Sequence, residues 1–136
     1  MRGDKPALKL AINPVSADLA APDWLPAEAQ TEWRRVIGPL ADRRILTEPD
    51  LGGLENYCLA IAQVRECQAI LAKEPSPFFT GDNGVPRPHP AIRVMHAAMT
   101  LARQMAAELG LTPVSRSRPA ISDEGEDNGG FGDLVD

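Results

Sequence analysis

GDNGVPRPHPAIRVMHAAMTLARQMAAELGLTPVSRSR, Gly81 to Arg118, reads in order as a turn, a long helix and a stop. His89-Pro90 places a proline in a first helical turn, where the N–H groups lack intrahelical partners and a missing donor is tolerated. Gly110 supplies a left-handed C-cap, Leu111 can fold back onto the last turn, and Pro113 stops the helix from resuming. The spacing predicts a helix over about Pro90 to Leu109 whose job is packing. One apolar stripe runs through Ile92, Met95, Met99, Ala102, Ala106 and Leu109, and a second through Val94, Ala98, Leu101 and Met105. Two stripes imply two partners, one an antiparallel helix of the same chain and the other the first helix or another subunit.

Upstream, EPSPFFTGDNGVPRP (Glu74 to Pro88) is too rich in proline and glycine to be helical. GDNG reads as a turn with a small hairpin between Phe78-Phe79-Thr80 and Val85. Before it, Leu51, Leu54, Tyr57, Cys58, Ile61, Val64, Ile70 and Leu71 keep a three-four rhythm down to Lys73. Thr47-Glu48-Pro49-Asp50 resembles a capping box that starts this helix. Gly52-Gly53 weakens its first turn by about 1 kcal/mol per glycine and permits a close neighbour.

Further out, Leu25, Ala29, Trp33, Val36, Ile37 and Leu40 recur at helical spacing, with Glu28, Gln30, Glu32, Arg34 and Arg35 assigned to the opposite, solvent side. This first helix is expected to bend or end near Gly38-Pro39. Residues 1–22, with Arg2, Lys5 and Lys9 among glycine and proline, read as an extended, weakly basic arm. At the other terminus, ISDEGEDNGGFGDLVD is too polar to join a core. The formal net charge of −5 comes from this tail, which holds acids and no Lys or Arg, so the body is not strongly repelled from a polyanion.

Aromatic residues make up only 4% of the 136, so a single modest core must be built from Leu, Ile, Val, Ala and Met. The N-terminal sequence lacks the apolar run of a signal peptide or membrane span, which gives the expectation of an intracellular protein without a membrane partner. Cys58 and Cys67 are roughly 13 Å apart along one helix, too far to bond, and read as ordinary thiols.

Candidate chemistry is sparse. His89 and His96 are too widely spaced for a shared metal, and nothing near Cys58 resembles a nucleophile's setting. Glu48, Asp50 and Glu55 admit a metal-dependent nuclease reading, but helix capping explains them more simply. No catalytic residue, metal or cofactor is assigned. The basic residues form three small sets: Arg2, Lys5 and Lys9; Arg34, Arg35, Arg43 and Arg44; and Arg116 and Arg118. Each alone would bind a polyanion weakly, whereas repetition around an oligomer would make them multivalent.

Five pieces in order, MRGDKPALKL with Asn13-Pro14, PDWLPAEAQTEWRRV, LADRRILTEPDLGGLENYC, GDNGVPRPHPAI and ARQMAAELGLTPVSRSR, resemble the small subunit of phage terminase. The resemblance spans Met1 to about Arg118. It implies a mostly helical, non-catalytic protein of the host cytoplasm. Such a protein forms a homo-oligomeric ring, engages viral double-stranded DNA and delivers it to the large terminase subunit, which carries the ATPase and nuclease.

The resulting fold class is all-α: a helical hairpin core with an additional N-terminal amphipathic helix, a long loop between the two core helices, and disordered termini. Its divisions are a flexible arm (1–22), a helical oligomerisation and DNA-engaging core (23–118) and a disordered acidic tail (119–136). Phosphate contacts are expected from the three basic sets. Subunit contacts are expected from Leu54, Ile61, Val94, Leu101 and Met105, and docking to the large subunit from Phe131 and Leu134. The competing reading is a helical protein-interaction adaptor that never touches DNA.

Overall fold

The computed structural model describes residues 13–44 and 46–117. Helix α1 (Ala27–Asp42) leads through a 3-10 turn (Glu48–Asp50) into α2 (Leu51–Ala72). Strands β1 (Phe78–Thr80) and β2 (Pro86–Pro88) follow, then α3 (Pro90–Leu109) and the single turn α4 (Pro113–Arg116). The fold is thus mostly helical and not wholly α, because the connection between α2 and α3 pairs with itself. Phe78 faces Pro88, Phe79 faces Arg87 and Thr80 faces Pro86 in an antiparallel hairpin. Gly84, at φ 78°, closes its tip, and its N–H donates to the Gly81 carbonyl at 2.9 Å.

Helices α2 and α3 form the antiparallel hairpin, and α1 packs against α2. The main core gathers Leu25, Trp33, Leu40, Leu46, Leu54 and Tyr57 with the small residues between them. A separate, smaller cluster of Cys67, Ala91 and Met95 fills the other end of the hairpin.

Local chemistry sets the ends of α3 as its sequence implies. The His89 imidazole Nδ1 accepts the Ala91 N–H at 3.0 Å. Gly110 takes φ 80°, and the Leu111 N–H returns to the Ala106 carbonyl at 2.8 Å, the signature of a Schellman stop. At the start of α2, the Asp50 carboxylate accepts from the Thr47 N–H at 2.8 Å and from its hydroxyl at 2.9 Å.

Four details depart from the sequence reading. Helix α1 runs through Gly38-Pro39 to Asp42, because Val36, Ile37 and Leu40 on both sides of the proline are buried in one core and hold the helical path. Pro113 ends α3 but begins α4, whose Thr112 and Ser115 cap each other. Among the described residues, and apart from the adjoining helix backbone, nothing lies within 4 Å of where a Cβ would stand on Gly52 or Gly53, so no close neighbour uses the room they leave. The stretch 13–22, assigned to the free arm, is held to the body. Pro14 bridges to Thr47, the Val15 N–H donates to Leu46 at 2.9 Å, and the Trp33 indole N–H donates to the Leu19 carbonyl at 2.9 Å. The remaining arm residues 1–12 and the tail lie outside the described residues.

Candidate functional site

A buried carboxylate organises the junction of α1 and α2. Glu32, assigned by sequence to the solvent side, is fully buried. Its position three residues after Ala29 and four before Val36 put it in the apolar stripe all along. Tyr57 donates its hydroxyl to Glu32 Oε2 at 2.6 Å, Arg65 donates Nη2 to Oε1 at 2.9 Å, and Arg35 closes on both oxygens. Arg65 also reaches Glu28 at 3.5 Å.

Burial by itself pushes the Glu32 carboxyl up, but the hydrogen bonds from Arg35, Tyr57 and Arg65 and the Arg35 charge outweigh it, so the group titrates below its ordinary value. The same carboxylate, with burial, holds the Tyr57 hydroxyl well above the usual phenol range. Cys58 is buried beside it, and burial together with the Glu32 charge pushes its thiol up to about 12, which leaves it a poor nucleophile at neutral pH. Both cysteines are free.

The arginines proposed for phosphate contact separate into three kinds. Arg34 and Arg44 are exposed, the latter at a left-handed φ of 57°. Arg116 is exposed on α4, its Nε 3.4 Å from the Thr112 carbonyl. Arg35 is tied to Glu32 but keeps much of its side chain in water. Arg43 differs: half-buried, it donates Nη1 to the Gly110 carbonyl, where it binds the end of α1 to the cap of α3. Its guanidinium is therefore a structural tie before it is a free cation. That contact brings Arg43, Arg44 and Arg116 to one end of the bundle, while Arg34 sits about 12 Å up α1 from its Asp42 end. Arg2, Lys5, Lys9 and Arg118 lie outside the described residues, as do Phe131 and Leu134.

The expected subunit contacts also separate. Leu54 is completely buried in the chain's own core and has no surface left for another subunit. Ile61 and Met105 are half-buried against that core. Val94 and Leu101 remain 43% and 46% exposed on one flank of α3. The buried face of α3, Ala91, Met95, Ala98 and Ala102, draws on both apolar stripes, because one helix can turn only one face to α2.

Among the described residues, no group of three His, Cys, Asp or Glu side chains is placed to hold a metal ion, and no helix is long and apolar enough to cross a membrane. Asp50 is occupied as the Thr47 cap, which accounts for one of the three acids of the nuclease reading. Two adjoining depressions open where the start of α2 meets the end of α3. One of about 220 Å3 is lined by Leu46, Ala107, Gly110 and Ser115 among others. The second, of about 240 Å3, is lined by Pro49, Asp50, Gly53, Met105, Glu108 and Leu109.

Compared with known proteins, residues 29–126 match the family model described as phage terminase, small subunit. No curated protein and no solved structure gives a significant match.

Proposed function

Because the chain belongs to the phage terminase small-subunit family, whose role is in phage DNA packaging, we propose that it is the non-catalytic initiator of that process. It assembles into a homo-oligomeric ring in the host cytoplasm, binds viral double-stranded DNA and delivers it to the large terminase subunit. The family match is the observation that carries this reading.

Two features of the chain support it. Arg44 and Arg116 are exposed at the end of the bundle that Arg43 ties together, and Arg34 is exposed two to three turns up α1. Such residues act as phosphate clamps without reading bases. A single copy offers too few of them for tight binding, and a ring multiplies them. The exposed flank of α3 at Val94 and Leu101 is the apolar surface available for subunit contact. In the tail, Phe131 and Leu134 are the apolar anchors proposed to dock on the large subunit.

The test is DNA binding measured against salt, alongside mass by light scattering. The expected result is an oligomer whose affinity falls steeply with salt, and falls further when Arg44 and Arg116 are both changed to Glu. Absence of binding at low salt would favour the adaptor that never touches DNA. A strictly monomeric protein at micromolar concentration would remove the ring.

A further inference from the structure

The β1–β2 hairpin is uncovered by the rest of the described residues. All six of its strand residues are exposed, with Phe79 at 46% and Val85 at the tip at 50%. Its outer β2 edge cannot add a strand. The bonds from His89 N–H to the Pro77 carbonyl and from Gly81 N–H to the Val85 carbonyl set the alternation of the ladder. They place positions 86 and 88 outward, and both are prolines without an N–H. On the β1 edge, the Phe78 N–H is already taken by the Ser76 hydroxyl at 3.1 Å. That leaves Thr80 as the outward N–H of the hairpin without a hydrogen bond among the described residues, too little for a strand ladder, so side chains carry most of any contact. Phe79 and Arg87 are directly opposed across the strands, so one face of the hairpin presents an aromatic ring beside a cation.

A complementary seat lies at the opposite end of α2 and α3. The depression of about 240 Å3 is lined by Pro49, Gly53, Met105 and Leu109 together with the acids Asp50 and Glu108. It exceeds the roughly 150 Å3 in which a benzene ring is known to sit. Gly53 in that lining leaves open space where a side chain would stand. Asp50 already serves Thr47, whereas Glu108 forms no ion pair among the described residues. Met105 and Glu108 continue the flank of α3 that exposes Val94 and Leu101, at the three-, four- and seven-residue steps of one helix face.

We infer that the hairpin of one copy docks head-to-tail in this seat on a second copy, with Phe79 and Val85 against Met105 and Leu109, and Arg87 beside Glu108. The occupant is another copy of this chain because knob and seat match in both polarity and charge, yet lie toward opposite ends of α2. They cannot meet within one chain. A contact between two different patches is heterologous, and when its rotation closes it generates a ring. The inference rests on the ring reading proposed above and specifies which surfaces make it.

Two experiments on the full chain test it. In the first, Arg87→Glu and Glu108→Arg are made singly and together. Each single change should raise the concentration needed for assembly by about tenfold, and the pair should restore it. Because both residues are exposed, the helical circular dichroism should not change. In the second, Val85→Cys with Gly53→Cys is oxidised and run without reductant. About 28 Å of α2 separates Gly53 from the helix end that bears the hairpin, too far for a bond within one chain. A ladder of linked multimers is expected. An oligomer that yields only monomer bands and is indifferent to Arg87→Glu would overturn this interface and leave the ring reading standing. A wild-type monomer would overturn both.

Discussion

The two ends of the α2–α3 hairpin are built on different principles. At the end where α2 begins, three helices and the stretch 13–22 enclose Trp33, Leu40, Leu54 and Cys58, and the junction is pinned by the buried Glu32. Toward the other end, α1 no longer covers α2 beyond the reach of Arg65. Only Cys67, Ala91 and Met95 are buried there, while Phe78 is 58% exposed. Burial of large side chains and a satisfied ion network make the first end the source of stability. The second end has exposed aromatics over a thin core and carries the knob of the proposed contact, whose seat lies at the first. The molecule thus keeps its large core at one end of the helix pair and its exposed aromatics at the other.

Three substitutions probe that division. The largest effect belongs to Trp33→Ala, which removes a buried indole and its bond to Leu19. It should cost about 3–5 kcal/mol, seen as a large fall in the urea midpoint. A loss below about 1 kcal/mol would mean that the enclosed end is not the stabilising one.

Next comes Glu32→Gln, which keeps the shape but removes the charge that holds Arg35, Tyr57 and Arg65. The expected loss is about 2 kcal/mol, below the usual range for breaking a buried pair because both arginines reach water. Its pH dependence has a definite sign. The folded Glu32 pKa lies below its ordinary value, so its contribution is complete above the unfolded value of about 4.3 and is lost as pH falls through the folded one. Wild-type stability should therefore decline below about pH 4.3 more steeply than that of Glu32→Gln in urea titrations across acid pH. Parallel pH curves would show that the network does not favour the ionised form.

The smallest effect is expected from Phe79→Ala. Removing a half-exposed ring at the thin end should change stability by less than about 1 kcal/mol while weakening assembly. A loss of stability comparable to that of Trp33→Ala would show that the hairpin is part of the core.

Much of this plan was legible in the sequence because its signals are local. His89-Pro90, Gly110-Leu111 and Thr47 with Asp50 act on backbone groups within a few residues of themselves, so spacing alone locates the ends of α3 and the start of α2. The short strands were only half legible. GDNG marks the turn, but the prolines at 86 and 88 argue against a strand until one sees them on an outer edge. Among the candidate contacts, exposure could not be read from residue type. Leu54 and Leu101 are both leucines on apolar stripes, yet one is sealed and the other open. Arg43 and Arg44 are neighbours, yet only one reaches Gly110.

By itself, then, the sequence determined the three long helices, the start of α2, both ends of α3 and the ordered set of segments shared with the terminase small subunits. Tertiary structure alone decided what those helices surround. Glu32 stands on the buried stripe by its spacing, but it can stay ionised there because Tyr57 and Arg65, 25 and 33 residues away along the chain, arrive to satisfy it. A carboxylate's environment is made by whichever groups the fold brings within hydrogen-bonding distance, and no local spacing encodes that meeting.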